Sequence, residues 1–317
     1  MSKLVMAAGP HIHSGNSSRR IMLDVIIALV PAAAAAVILF GLKALAIIVT
    51  CIAACVASEF LFNAATKHEQ TVGDLSAVLT GLLLALNLST NVELWQCVIG
   101  SAFAIVLVKC VFGGIGKNFA NPAITGRVFM LLAFSSTVAG GAMPRMLDAA
   151  TGATPLEQLG TLGADGLAEM NSSLLQMLLG VRGGAIGEGC IIALLIGFAY
   201  LLIRKVIKWY IPAIFVGTVF VLSLIASGSL VFSLYEVLGG GLILGAVFMA
   251  TDYVTTPISA KGRMLFALGC GIITFIIRFW CSYPEGVSFS ILIMNLLTPW
   301  LERITPNKPL GGTKKHG

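Results

Sequence analysis

Ile21-Met-Leu-Asp-Val-Ile-Ile-Ala-Leu-Val-Pro-Ala-Ala-Ala-Ala-Ala-Val-Ile-Leu-Phe40 decides what solvent this chain folds in. It carries a single charge, Asp24, across a stretch of about 20 residues, the length at which a helix rising roughly 1.5 Å per residue covers a hydrocarbon core about 30 Å thick. The rest of the chain repeats the pattern. Its 317 residues are 57% hydrophobic and 11% charged, with a mean hydropathy of +0.96. Soluble proteins carry roughly 25% charged residues, and a fold of this size has too little interior to hide the apolar excess. Disorder, collagen and disulfide-rich secreted scaffolds are excluded by the same composition. The chain reads as an all-α integral membrane protein.

Ten segments read as spans: 21–40, 43–63, 75–88, 95–112, 123–138, 188–204, 211–228, 234–250, 264–280 and 287–302. Those at 75–88 and 234–250 are short and glycine-broken. They stand before Asn87-Leu-Ser-Thr-Asn91 and Thr251-Asp-Tyr-Val-Thr-Thr-Pro257, so the third and eighth helices are expected to be interrupted. Five spans on each side of a long loop make the second half enter the membrane upside down, which is the arithmetic of a 5+5 inverted repeat. Gly81-Leu-Leu-Leu-Ala85 answers Gly241-Leu-Ile-Leu-Gly-Ala246. Irregular backbone at membrane depth survives only where protein or a water-filled cavity satisfies it, so the two breaks point to an ion path. The plainer reading is that the glycines let helices pack closely. The expected parts are a first repeat at 1–138, a loop at 139–187 and a second repeat at 188–317.

Gly9, Pro10, His11 and the Arg19-Arg20 pair precede a full-length apolar run, which argues against a cleavable signal peptide. Lysine and arginine set orientation because they resist translocation. Of the 20 such residues, Lys109, Arg127 and Arg278 lie within or at the ends of spans. A cytoplasmic N-terminus leaves only Lys43, Arg145 and Arg182 outside and the other fourteen inside. Both termini are therefore expected in the cytoplasm and the long loop on the outer, periplasmic side. The net charge of +6 reports topology, not an affinity for nucleic acid.

Ionisable residues in or beside the spans need partners or water, because a charge at the bilayer centre costs about 2.5 to 3.5 kcal/mol on insertion scales. Asp74, Glu93, Lys109, Arg127, Asp252 and Arg278 fall near span ends and read as snorkelling or capping groups. Asp24, Glu59 and Glu236 are harder to dismiss, and Asp24 and Glu59 are flanked by long apolar runs. Seven cysteines without a Cys-x-x-Cys pair read as small buried side chains. Cys51 and Cys55 share a helical face, but two thiolates do not close a metal site, and His11 and His13 sit in a polar tail. No protein-ligated metal is expected.

The loop at 139–187 is long enough to demand an explanation. Within Asp148-Ala-Ala-Thr-Gly-Ala-Thr-Pro-Leu-Glu157, Thr154 fits an N-cap, Pro155 the first helical position and Glu157 the far side of a capping box. A helix starting there needs no further purpose.

The same residues carry a resemblance. Asp148-Ala-Ala-Thr-Gly-Ala-Thr154 is similar to the flavinylation motif of membrane proteins that hold FMN by a phosphodiester on the final threonine. Gly9-Pro-His-Ile12, Asn118-Phe-Ala-Asn-Pro122, Phe248-Met-Ala-Thr-Asp252 and Tyr283-Pro-Glu-Gly286 resemble the RnfD family, membrane components of the Rnf electron-transport complex. A relative, the corresponding component of the sodium-pumping NADH:quinone reductase, shares much of the pattern. Its longer N-terminal region makes the RnfD family the better fit in length. Tyr253 departs from both, which often carry proline after the aspartate.

The resemblance implies a multi-subunit, ion-translocating ferredoxin:NAD oxidoreductase in the bacterial inner membrane. It implies covalent FMN on Thr154, presented by Asp148, Thr151, Gly152 and Ala153, and a second, non-covalent flavin such as riboflavin. Threonine is a weak nucleophile unaided, so a separate flavin transferase is implied as a maturation partner, beside the other Rnf subunits and membrane lipid. An esterified N-cap would set the phosphoryl charge over the first-turn N–H groups, where a helix terminus favours an anion. Arg145 and Arg182 are candidates to pair with it, against a plainer reading as solvated outer arginines. Asp24, Glu59 and Asp252 are the candidate ion contacts. Two other classes fit the architecture: a passive channel or secondary transporter, which would purify colourless, and a scaffold for redox neighbours, indifferent to loss of Thr154.

Overall fold

The computed structural model describes residues 17–139, 144, 154–163, 170, 173–281 and 285–306. Gly9-Pro-His-Ile12, Arg145, Asp148, Thr151, Gly152, Ala153, Tyr283 and Pro284 lie outside the described residues.

The regular elements are helices. In chain order they are α1 (Ser18–Phe40), α2 (Leu42–Thr66), α3 (Ser76–Leu86), α4 (Leu94–Ala102, continued as π-helix through Phe103–Cys110), α5 (Pro122–Ala133), α6 (Ser135–Val138) and α7 (Pro155–Leu162). Then come α8 (Leu174–Leu179), α9 (Ile191–Ile203), α10 (Tyr210–Ser227), α11 (Leu230–Leu238), α12 (Leu242–Leu244, continued as π-helix through Gly245–Met249), α13 (Ala260–Trp280) and α14 (Val287–Ile304). Their ends follow local chemistry. Ser17 caps α1, Asn121 caps α5 ahead of Pro122, and Ser259 caps α13, each with a side-chain oxygen on a first-turn N–H.

The all-α reading holds, but ten spans and the 5+5 inverted repeat do not. Among the described residues only α1, α2, α10 and α13 are long and apolar enough to cross a membrane, and a fifth crossing appears if the bent pair α11–α12 counts as one. The other apolar segments yield shorter helices: Ser76–Leu86, Leu94–Cys110, Pro122–Ala133 and Ile191–Ile203. The physical reason is that an apolar run is not a helix length. The 188–204 run begins as a 3-10 turn at Ile186–Glu188, and its α-helix starts only at Ile191. Asn87 stops α3 by turning its own side chain onto the Leu83 carbonyl. At about 1.5 Å per residue the 11 residues of α3 rise about 16 Å, half a bilayer core. α14 is long enough but holds Asn295, Glu302 and Arg303.

Pairs α2–α3, α1–α9, α10–α13 and α13–α14 form the main packing contacts, and α5 lies against α14, so elements far apart in sequence share one core. The outer faces stay apolar, with Ile38, Leu42, Ile225 and Trp280 exposed, as lipid contact demands. Gly81 supports the plainer glycine reading: a Cβ there would lie 2.7 Å from Ile52 Cα, so the residue exists to let α3 approach α2. The glycines of the eighth segment pack closely as well and also break the helix. Gly239, Gly240 and Gly241 separate α11 from α12, whose axes differ by 63°.

Candidate functional site

Two motifs that lie far apart in sequence meet in one cleft. Asn118, Asn121 and Pro122 line it from one side, and Phe248, Thr251 and Asp252 from the other. Ile21, Met22 and Val25 of α1 and Ser76, Leu79, Thr80 and Leu83 of α3 complete a largely apolar wall around a volume of about 790 Å³. Apolar walls with a few placed polar groups are the composition common to small-molecule sites. The π-helical stretch Gly245–Met249 delivers Val247 and Phe248 into the wall. Such bulges are frequent at functional sites because the extra residue per turn redirects side chains.

Lys109, from the other π-helical stretch, lines the same cleft and turns its ammonium inward. Its Nζ is 2.8 Å from Glu59 Oε1 and donates at 2.6 Å to Ser76 Oγ, with Lys109 3% and Glu59 0% exposed. Thr71 also donates to Glu59 Oε1, and Ser76 donates to Asp74 Oδ1. A buried ion pair persists only when hydrogen bonds replace the lost water, and this chain of hydroxyls does so. Among the described residues Glu59 Oε2 has no hydrogen-bond partner. Asp252 accepts bonds from the Val254 N–H and the Thr255 hydroxyl in the Thr251–Pro257 strap, outside the helices. Burial raises its carboxyl above the ordinary value, against the pull of Thr255 and the Val254 and Tyr253 N–H groups. Asp24 stands apart, accepting from Tyr200 Oη at 3.0 Å and Arg204 Nη2 at 3.3 Å. Asp252 and Lys109 thus line one cleft, Glu59 is held behind Lys109, and Asp24 stays in its own pair.

A second polar centre surrounds the broken helix. Arg127 donates to Asn87 Oδ1 at 2.6 Å, pairs with Glu285 and lies 3.9 Å from Glu188 Oε1. Arg278 bonds the Glu236 carboxylate at 3.0 Å and the Gly239 carbonyl at 3.2 Å. Arg182 is 3% exposed and donates to the Glu188 carbonyl. Arg127, Arg278 and Arg182 are therefore structural cations, not snorkelling or solvated ones, and Lys109 joins them. Asp74, Glu93 and Asp252 do act as caps, each on nearby backbone or hydroxyl groups. The sequence signal for the pairs was the surplus of intramembrane charge itself, since Glu59 and Glu236 each required a cation.

The helix that begins at Thr154 docks on this centre. Thr154 Oγ1 accepts from the Glu157 N–H at 3.3 Å, and Glu157 Oε2 accepts from the Thr154 N–H at 2.7 Å, the expected capping box. Leu156 and Leu159 are buried against Met177, Phe232 and Tyr235. Beside them a cavity of about 1,080 Å³, open to solvent, is lined by Leu156, Gly160, Phe232, Glu236, Arg278 and Phe279 among others.

A bent span, buried ion pairs around it and a cleft closed by two separated motifs define an integral membrane protein with paired charges in its interior. A profile of the NQR2, RnfD, RnfE family matches residues 5–311, and the chain belongs to that family. It is 44% identical to the D-type component of the Na(+)-translocating ferredoxin:NAD(+) oxidoreductase complex of Acetobacterium woodii, over 98% of this chain and 96% of the relative. It is 39% identical to the D-type component of the proton-translocating ferredoxin:NAD(+) oxidoreductase complex of Clostridium ljungdahlii, over 95% and 94%. Against the D-type component of the ion-translocating oxidoreductase complex of Stutzerimonas stutzeri the identity is 36%, over 93% of each chain.

Proposed function

We propose that this chain is the D-type membrane component of an ion-translocating ferredoxin:NAD oxidoreductase, carrying FMN on Thr154 and working within a complex of several subunits. Its similarity to two such components over nearly its full length carries the membership. The flavin reading rests on the Asp148–Thr154 motif, and the capping box is compatible with it: among the described residues Thr154 Oγ1 serves only as an acceptor, from the Glu157 N–H. That bond does not use the hydroxyl proton, so exchanging the proton for a phosphoryl group leaves the cap in place. The neighbouring Glu157 carboxylate is a cost, because it shares the helix end with the new anion.

A bound flavin supplies one-electron chemistry, while the protein sets its position and access. On this reading residues 139–187 form the flavin-bearing segment between the two membrane portions at 1–138 and 188–317, on the outer face of the bacterial inner membrane. A separate flavin transferase attaches the group to the Asp148–Thr154 motif, in which Gly152 and Ala153 keep the approach narrow. The cleft between Asn118, Asn121 and Asp252 is the proposed seat of the second, non-covalent flavin: its apolar walls suit a ring system, and its few amides, hydroxyls and Lys109 suit the polar edge. Electron transfer is coupled to ion movement when a change in flavin charge alters ion affinity at Glu59 and Asp252, with Asp24 as a third contact. Mass analysis of the peptide spanning residues 146–160 tests the attachment. An added FMN mass less water is expected, and an unmodified peptide from the native host would remove the assignment.

A further inference from the structure

Beside the cleft, and sharing Val206, Ile207, Thr251 and Tyr253 with it, a second cavity gathers three cations with no carboxylate among its described lining residues. Lys205, Lys208 and Arg263 line this cavity of about 380 Å³, whose walls also include Tyr253, Thr256 and Ile211. None of the three cations belongs to an ion pair among the described residues, whereas Lys109, Arg127, Arg204 and Arg278 all do. The convergence is built. Lys205 turns the chain after α9 with a left-handed φ of 57°, a conformation that side-chain-bearing residues seldom adopt. Arg263 is anchored by its own Nε–H, which donates to the Pro257 carbonyl at 2.9 Å and leaves the outer guanidinium nitrogens for another acceptor. Like charges gathered at one cavity repel unless an anion lies between them.

Exposed residues close in sequence to the cavity-lining ones say which anion. Ile203 is 79% exposed, Ile258 71% and Trp209 66%. Exposed aliphatic side chains beside an exposed tryptophan mark the level where acyl chains meet headgroups. A phosphate held by lysine and arginine, with two acyl chains leaving along the exposed apolar residues of the same chain segments, matches that composition, and basic pockets between membrane helices hold acidic headgroups in this way. We propose that the Lys205–Lys208–Arg263 cavity binds the phosphate of an acidic phospholipid, of the phosphatidylglycerol or cardiolipin class.

Occupancy of this cavity bears on the cleft. Tyr253 and Thr256 lie on the same Thr251–Pro257 strap as Asp252. Tyr253 Oη donates to the Val206 carbonyl, and Thr256 Oγ1 donates to the Asp252 carbonyl at 2.5 Å. A headgroup on the outer side of the strap braces the segment whose inner side carries Asp252, and Tyr253 supplies the tie.

The test uses the intact membrane complex, stripped with detergent and returned to nanodiscs of phosphatidylcholine containing graded phosphatidylglycerol. Bound phosphatidylglycerol is counted by native mass spectrometry. Wild type should retain it through delipidation, and Lys208→Gln and Arg263→Gln should each lower its apparent affinity several-fold, with the double variant lower still. Lys261→Gln, outside the cavity lining, should leave it unchanged, and equal melting temperatures exclude misfolding. Equal retention by wild type and the double variant would overturn the proposal. So would full competition by millimolar inorganic phosphate, which would make the site one for a free anion instead of a lipid.

Discussion

Leu156 lies directly against Gly240: a Cβ on that glycine would come 2.6 Å from the leucine Cδ1. Gly240 sits at φ +60° in the break between α11 and α12, and Leu156 follows Thr154 by two residues on α7. The helix that starts at the proposed flavin threonine therefore presses its first buried leucine into the kink of the broken span. Arg278 Nη2 and Glu285 lie at the same glycine, within 3.2 and 3.6 Å of that Cβ position.

Gly240→Ala should separate α7 from the break. The left-handed φ costs a substituted residue on the order of 1–2 kcal/mol, and the clash with Leu156 adds to it. A lower melting temperature and faster proteolysis within 139–187 are expected. Unchanged protease sensitivity would mean that the leucine contact is dispensable.

The cap and the attachment separate at Thr154. Thr154→Ala removes both, at about 1 kcal/mol for the cap. Thr154→Asn keeps a capping oxygen without a hydroxyl, so it should melt like wild type yet show no in-gel flavin fluorescence after denaturation. Fluorescence that persists in either variant places the flavin on another residue.

Breaking the buried pair at Lys109 should be worse than deleting it. Glu59→Gln or Lys109→Met alone leaves an uncompensated group and is expected to cost about 3–5 kcal/mol, whereas the double substitution should recover most of that. A double-mutant cycle by thermal or denaturant unfolding reads the coupling, and additive losses would show that the two charges act independently.

Asp252 gives a signed pH effect. Its carboxyl is raised in the fold above the ordinary value of 3.8, chiefly by burial. The folded chain then holds this proton more tightly than the unfolded chain does. The stability contribution is complete below the unfolded value and is lost as pH rises through the raised folded one. Asp252→Asn should therefore gain melting temperature over wild type as pH rises above the ordinary carboxylate value. A difference independent of pH would exclude titration of this group as its source.

Fluxes across reconstituted membranes test the ion contacts. Neutralising Glu59, Asp252 and Asp24 together should abolish redox-driven ion movement while the flavin remains attached. Flux that survives all three changes lies along another path.

Composition alone determined that this is a helical membrane protein, because apolar excess over a short chain has no aqueous solution. Capping chemistry at Thr154–Glu157 and Asn121–Pro122 was equally readable, since those hydrogen bonds span three residues or fewer. The glycine break at 239–241 was visible as three consecutive residues without side chains. The number of long spans was not, because an apolar run records burial or lipid contact and both continue through turns such as Ile186–Glu188. Nor were the pairs Lys109–Glu59, Arg278–Glu236 and Arg127–Glu285, whose members lie 50, 42 and 158 residues apart. A charge in lipid announces that it needs a partner. Only the packing of α2 beside the π-helical end of α4, and of α5 and α13 around the broken span, selects which one, since Coulomb attraction and hydrogen bonding act through space over a few ångströms and are indifferent to distance along the chain.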